Sequence, residues 1–240
     1  MINLDELNKI AVRNQTLPIN VYREYCQNLF LSFLYQQKGS EFIQFKGGTA
    51  LRIFYKSPRY SEDLDFSIFK LNQKQTEDLM VAVLSNLEKA NLKIDLDESK
   101  ETSGGYLANL SIDLVKYKLK ISVQASKRKT EYTSPNVVLA DNDYVPSYTA
   151  YLLNEGEIVK EKLQAAIIRS KPRDFFDIYF LLRKGLIKRE NRALLKKVSE
   201  IVGGSKINFK QELLNFLPKN LHSAVVNFKT TFLQEVEKYF

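Results

Sequence analysis

The chain has 240 residues, of which 44% are hydrophobic and 27% are charged, with a formal net charge of +8. This is the composition of a globular protein with one or two domains, and the sequence has no apolar run of about 18 residues, which excludes a membrane-spanning helix. The excess of basic residues favours a polyanionic partner or a nucleotide substrate, although a lysine-rich proteome would produce the same excess.

The N-terminus, the cysteine and the histidine further restrict the cellular location and the reaction mechanisms that the sequence allows. The segment Met1–Glu6 is acidic and has no basic region ahead of an apolar one, so no secretory signal is predicted. The single cysteine, Cys26, excludes a disulfide framework and a cysteine-rich zinc site, and these two observations favour the cytoplasm. The single histidine, His222, has no carboxylate or cysteine close in sequence, which argues against Ser-His and Cys-His mechanisms.

The first part of the chain alternates between helical and strand patterns. Leu4 to about Gln37 has helical periodicity, with Pro18 opening a second helix. A short strand, Phe42–Phe45, then runs into Gly47 and a further helix. Beyond it we predict a strand at Leu64–Ile68, a helix at Thr76–Ala90, and strands at Leu92–Leu96, Tyr106–Val115 and Lys118–Ala125.

From Gly156 onward the period is that of helices. Glu157–Ser170 and Asp174–Lys184 are helical patterns separated by Pro172, and further helices extend to Phe240. The sequence therefore predicts an α+β fold with a boundary near residue 150, in which a mixed sheet-and-helix domain (1–150) precedes a helical-bundle domain (151–240).

Two aspartates open the predicted strand at Leu64–Ile68. Asp63 and Asp65 are two residues apart, so both carboxylates leave one face of the strand, whereas Leu64 and Phe66 point into the core. Adjacent carboxylates repel each other unless a cation lies between them. A divalent ion with oxygen ligands, Mg²⁺ or Mn²⁺, resolves this repulsion and can also hold a triphosphate.

A glycine pair precedes these aspartates. Gly47 and Gly48 end a strand and begin a helix, where backbone N–H groups can approach a phosphate closely. The Walker pattern is absent, which argues against a P-loop ATPase. A glycine pair or an Asp-x-Asp alone is weak evidence, but their order and spacing in a strand–helix–strand context make the combination specific.

These segments, KGGTAL at Lys46–Leu51 and RYSEDLDF at Arg59–Phe66, resemble the abortive-infection AbiEii/AbiGii-type nucleotidyltransferase toxins. Those toxins belong to the DNA polymerase beta-like nucleotidyltransferase superfamily, and the resemblance implies its mixed sheet flanked by helices, followed by a helical domain. A second block resembles the family's later pattern and consists of Glu161, Lys162, Leu163, Ala165, Arg169, Arg173, Asp174 and Asp177.

The resemblance also implies roles for individual residues. Asp63 and Asp65 would bind the metal, and Lys162 would contact the triphosphate. Asp177 would complete the site, either near the metal or by orienting Lys162. The nucleotide pocket would include Lys46, Gly47, Gly48, Thr49, Arg59, Ser61, Arg169 and Arg173.

Structural roles remain open for several of these residues. Lys162 and Arg169 share one helical face, which is as compatible with solvent exposure as with an anion-binding wall. Asp177 is also compatible with an ion pair to Arg173, and Asp174 with a helix cap. Lys46 and Arg59 are also compatible with ordinary surface cations.

One feature of the superfamily is missing from the sequence. A third carboxylate commonly comes from a neighbouring strand, but the strand best placed here has Ser122 and Gln124 on its polar face. Asp113, on the preceding strand, is the alternative source.

The sequence thus predicts a metal-dependent enzyme that transfers a nucleoside monophosphate from a nucleoside triphosphate to RNA, such as tRNA. The resemblance alone implies a toxin with an antitoxin partner, whereas the net charge favours RNA over a small metabolite. Two alternatives remain open: nucleotidylation of a protein side chain, and a non-catalytic nucleotide- or RNA-binding module.

Overall fold

The computed structural model describes residues 2–114, 117–128 and 131–240. The chain divides into two compact units, the first formed by Met1–Lys56 and Tyr60–Asn154 and the second by Ser57–Arg59 and Glu155–Phe240. In the described part of the chain, no helix combines the length and apolar character needed to cross a membrane. Val115, the predicted end of one strand, lies outside the described residues.

Two helices of the first unit begin at side chains that satisfy free backbone N–H groups, and a third begins at a proline. The side chain of Asn3 accepts a hydrogen bond from the backbone of Glu6, and Asn72 and Gln75 form a capping box. Pro18 occupies the first turn of its helix, where the missing N–H has no cost. The helices are α1 (Leu4–Arg13), α2 (Pro18–Leu34), α3 (Gly47–Ile53) and α4 (Gln73–Lys89).

The described strands of this unit form one mixed sheet with the order β3-β4-β5-β2-β1-β7-β6. The pairs β2–β5 and β1–β7 are parallel, and the other neighbouring pairs are antiparallel. The strands are β1 (Ile43–Lys46), β2 (Leu64–Ile68), β3 (Lys93–Thr102), β4 (Gly105–Leu114), β5 (Tyr117–Lys127), β6 (Asn136–Ala140) and β7 (Tyr148–Leu152).

The two faces of the sheet differ in polarity, as the alternating pattern predicted. Along β5, Ile121 and Val123 are buried, whereas Lys120 and Gln124 are exposed. The buried face packs against α2, α3 and α4, and the ring of Phe66 lies in its core. The polar face therefore carries the side chains that can meet a substrate.

The second unit is helical and has an aromatic core. Phe228 lies in the middle of this core, with ring-centroid distances of 5.0 Å to Phe209 and 6.1 Å to Phe232. Its helices are α5 (Glu155–Arg169), α6 (Pro172–Arg183), α7 (Arg192–Gly204), α8 (Phe209–Leu213), α9 (His222–Val226) and α10 (Phe228–Tyr239). A mixed sheet with helices, followed by helices alone, is the predicted α+β class.

Candidate functional site

The turn from β1 into α3 lies directly against Asp65. Lys46 pairs with Asp65 in the sheet, and Gly47 follows with a φ of 84°. A Cβ atom at Gly47 would lie 2.2 Å from Oδ2 of Asp65, closer than any real contact. Gly47 therefore allows the backbone to pass beside this carboxylate. Its neighbours are Lys46, the N-cap of α3, and Gly48, the second residue of that helix.

Asp63 lies one residue before β2, in a loop that the protein holds by its backbone. The hydroxyl of Thr49 donates to the carbonyl oxygen of Asp63 at 2.5 Å. The side-chain amide of Gln27 donates to the carbonyl oxygens of Ser61 and Glu62 at 3.1 and 2.9 Å. Thr49 was predicted to contact the nucleotide; its side chain is fully buried and positions the Asp63 loop.

A partly buried ion pair connects the two helices that hold this loop. Arg52 of α3 donates to both carboxylate oxygens of Glu24 of α2, at 2.7 and 3.3 Å. Tyr144 also donates to Glu24, at 2.7 Å, and the Arg52 guanidinium lies 3.8 Å from the ring centre of Tyr60. Burial would lower the pKa of Arg52, but the charge of Glu24 outweighs it and the pKa is raised.

Sequence reasoning missed this support. Its signal was present, because Glu24 and Gln27 are polar residues within a helix in which Val21, Leu31 and Leu34 are apolar and buried. A buried charge in such a helix requires a partner, but the sequence does not identify which one.

Asp65 has a neutral neighbour on the adjacent strand. In the parallel pairing of β2 with β5, Asp65 lies opposite Gln124. Asp113 pairs with Lys118, six residues before Gln124, which corresponds to about 20 Å along the strand. Asp113 also forms an ion pair with Lys93 at 3.2 Å, so it is not the third carboxylate beside Asp65.

The aspartate pair fits a divalent cation that arrives with a nucleotide. Among the described residues, no group of three His, Cys, Asp or Glu side chains could hold a metal ion alone. Mg²⁺ is commonly held by one or two carboxylates together with substrate phosphates and water. The oxygen donors of Asp63 and Asp65 match that mode rather than a closed protein cage.

The second unit buries its own aspartate. Asp177 accepts hydrogen bonds from Nε and Nη2 of Arg59 at 2.8 and 3.0 Å and from Nζ of Lys162 at 2.8 Å. Asp177, Arg59 and Lys162 are 1%, 3% and 8% exposed. Burial would raise the pKa of Asp177, but the two cations outweigh it, so the pKa is lowered.

This cluster changes the interpretation of three residues. Arg59 was predicted to contact nucleotide phosphates, and its guanidinium group is buried and donates to Asp177. Lys162 was predicted on a helical face open to anions or solvent, and it is buried against the same carboxylate. Two roles were predicted for Asp177, a place near the metal and the orientation of Lys162. The hydrogen bond between Lys162 and Asp177 is the contact that the second role requires.

The remaining predicted basic residues of this unit also have acidic partners. Arg169 donates to Asp174 at 2.6 Å, and Arg173 lies 3.3 Å from Glu212. Asp174 is the third residue of α6 and makes no side-chain cap, so the cap interpretation is wrong.

The structure thus gathers the predicted site residues into two groups, one in each unit. Around the turn beside Asp65 lie Lys46, Gly47, Gly48, Thr49, Ser61, Asp63 and Asp65. In the helical unit lie Arg59, Lys162, Arg169, Arg173 and Asp177.

Comparison with known proteins gives a family and a fold. The model of the family described as nucleotidyl transferase AbiEii toxin, type IV toxin–antitoxin system, matches residues 30–238. JHP933 from Helicobacter pylori is 20% identical, with a TM-score of 0.58 over 93% of this chain and 96% of that one. MenT4, a nucleotidyltransferase toxin from Mycobacterium tuberculosis H37Rv, is 16% identical, with a TM-score of 0.64 over 98% and 90%. No curated protein matches the chain.

Proposed function

The chain belongs to the AbiEii nucleotidyltransferase toxin family, and we propose that it transfers a nucleoside monophosphate to an RNA acceptor, such as tRNA, in a reaction that requires a divalent cation. The observation that carries the proposal is the backbone of Gly47 packed beside the Asp65 carboxylate, two residues from Asp63. Family membership implies a nucleoside triphosphate substrate and an antitoxin partner.

Asp63 and Asp65 would hold the cation through carboxylate oxygens. When bound, Mg²⁺ neutralises charge on the triphosphate and orients it. The chain supplies the placement of these ligands: Thr49 and Gln27 fix the loop of Asp63, and Gly47 fixes the surroundings of Asp65. Such positioning is the main protein contribution to transfer of a phosphoryl or nucleotidyl group.

In the reaction we propose, a hydroxyl oxygen of the acceptor forms a bond to the α-phosphorus of the nucleotide and releases its proton to water. The bond from that phosphorus to the oxygen bridging the α- and β-phosphates breaks, and pyrophosphate leaves. We assign Lys162 to a phosphate oxygen, because its ammonium group has three donors and Asp177 occupies one. Asp177 is then a positioning residue for Lys162.

An RNA acceptor is favoured by charge. The net charge of +8 attracts a polyanion over long distances, whereas a small metabolite would gain little from it.

The test is incubation of the purified chain with Mg²⁺, total tRNA and each α-³²P-labelled nucleoside triphosphate in turn, followed by denaturing electrophoresis. We expect labelled RNA, and a loss of about 100-fold or more in Asp63→Asn, because one cation ligand is removed. Asp95→Asn is the matched control, since Asp95 lies in an exposed pair with Lys118. Chelation should abolish labelling, and added Mg²⁺ should restore it.

The outcomes separate the alternatives. Label on a protein band would replace RNA by a protein acceptor. Absence of label with every nucleotide, from protein whose circular dichroism shows it to be folded, would contradict the proposal. Labelling that survives chelation would show that the reaction does not require a divalent cation.

A further inference from the structure

The polar face of the sheet carries a cleft that begins at Asp63. Its volume is about 460 Å³, and it lies within the first unit. Ser122 and Asn109, which pair across β5 and β4, line it together with Lys120 and Asp97. We refer to this space as the Asp63 cleft. Its volume falls within the usual range of small-ligand sites, about 300–1,000 Å³, and is sufficient for one nucleotide.

Lys120 is a cation of this cleft that makes no direct ion pair within the described part of the chain. Among the described residues, the ammonium group of Lys120 has no ion-pair or hydrogen-bond partner. Lys118 lies two residues earlier on the same face of β5, outside the cleft, and its ammonium group is 3.2 Å from Asp95. The cleft therefore offers an ammonium group to an anion, whereas the neighbouring lysine is already neutralised.

The other cation of the cleft already has a carboxylate partner. Arg23 lies 3.2 Å from Glu62, so these two charges offset each other. Lys120 thus remains as the group best suited to a phosphate in this space.

Asp97 reaches the cleft through an irregularity in β3. The pairing of β3 with β4 shifts between Leu96 and Glu98, which leaves Asp97 as the extra residue of a bulge. A bulge changes the direction of a side chain and is frequent beside active sites. The hydroxyl of Ser111 donates to Oδ2 of Asp97 at 2.6 Å and fixes the carboxylate. A carboxylate held in this way accepts hydrogen bonds from the hydroxyl groups of a ligand.

We propose that the Asp63 cleft binds the terminal nucleotide of the RNA acceptor, with Lys120 on its phosphate and Asp97 on its ribose 2′-hydroxyl. The inference rests on the proposed transfer to RNA and adds where the acceptor binds. The terminal ribose then lies in the cleft that Asp63 lines. Recognition of the 2′-hydroxyl distinguishes RNA from DNA.

Lys120→Ala and Lys118→Ala form a matched pair for the test. At saturating nucleoside triphosphate, Lys120→Ala should raise KM for tRNA about tenfold, the loss of one charge-assisted hydrogen bond, without changing KM for the nucleotide. The slope of log KM for RNA against log salt concentration should decrease by about one, which is the contribution of one phosphate contact. Lys118→Ala should behave as the parent protein, and Lys120→Arg should recover most of the affinity.

Asp97→Asn and Asp95→Asn test the ribose contact. We expect the parent protein and Asp95→Asn to prefer an RNA with an intact terminal ribose over one with a terminal 2′-deoxyribose by about tenfold. Asp97→Asn should lose most of that preference, with thermal unfolding unchanged.

Equal KM values for RNA in Lys120→Ala and Lys118→Ala would overturn the cleft assignment, as would an unchanged ribose preference in Asp97→Asn. In either case, labelling of RNA by the parent protein would leave the proposed function intact. Absence of RNA labelling by the parent protein, or label on protein alone, would instead remove the function on which the assignment rests.

Discussion

The two units hold their aspartates in opposite ways. Asp63 in the first unit is positioned by hydrogen bonds from Thr49 to its own carbonyl oxygen and from Gln27 to the preceding carbonyls, which do not use its carboxylate. Asp177 in the second unit is held by its carboxylate oxygens, which accept from Arg59 and Lys162. The first arrangement fixes the loop that carries Asp63, and the second makes Asp177 an anchor of the fold.

The largest effect on stability should come from Asp177→Asn. This change leaves Arg59 and Lys162 buried without a full counter-charge, and we expect the free energy of unfolding to fall by about 3–5 kcal/mol. Urea unfolding followed by circular dichroism measures this loss. Glu212→Gln is the control, because its pair with Arg173 is partly exposed on both sides and should contribute about 0–1 kcal/mol. Similar losses in the two variants would remove the distinction between an anchor and an ordinary ion pair.

A smaller effect on stability, with a large effect on activity, is expected for Gly47→Ala. Alanine at a φ of 84° is strained by about 1–3 kcal/mol, and its Cβ would also displace the Asp65 carboxylate. Gly39 has a similar φ of 92°, but a Cβ atom there would meet no other atom within 4 Å, so Gly39→Ala carries the strain alone.

Transfer rates of the two glycine variants sharpen the comparison. The transfer rate of Gly47→Ala should fall about 100-fold, because a displacement of a reacting group by about 1 Å has an effect of this size. The rate of Gly39→Ala should stay close to that of the parent protein. Comparable rates in both variants would show that the close approach of Gly47 to Asp65 does not matter for the reaction.

The smallest expected effect is on the pH dependence of stability. Because the pKa of Asp177 is lower in the folded chain than in the unfolded chain, the unfolded chain binds a proton first as the pH falls. The stabilisation by this carboxylate is therefore complete well above the ordinary aspartate pKa of about 3.9 and decreases below it. Between about pH 6 and about pH 3, the unfolding free energy should decrease less in Asp177→Asn than in the parent protein. Parallel curves would contradict the role of Asp177.

Much of the fold was accessible from local patterns. The start of α2 at Pro18 and the bounds of β2 at Leu64–Ile68 were predicted correctly, because caps and alternation are properties of neighbouring residues. The strands β6 and β7 were missed. Each has five residues, and β6 is largely exposed, so their pairing in the sheet provides the evidence for them.

The candidate site also combines features that local sequence patterns predict with contacts that depend on the tertiary structure. The sequence by itself determined the order of the glycine turn and the aspartate pair and, through their resemblance, the family. The tertiary structure decided which groups meet: Arg59 with Asp177, 118 residues apart, Gln27 with the Asp63 loop, and Asp97 with the cleft through a bulge. Spacing along a strand or helix fixes the direction of neighbouring side chains. The partner of a buried charge is instead selected by packing between distant segments, because an unpaired charge in the interior is too costly to remain.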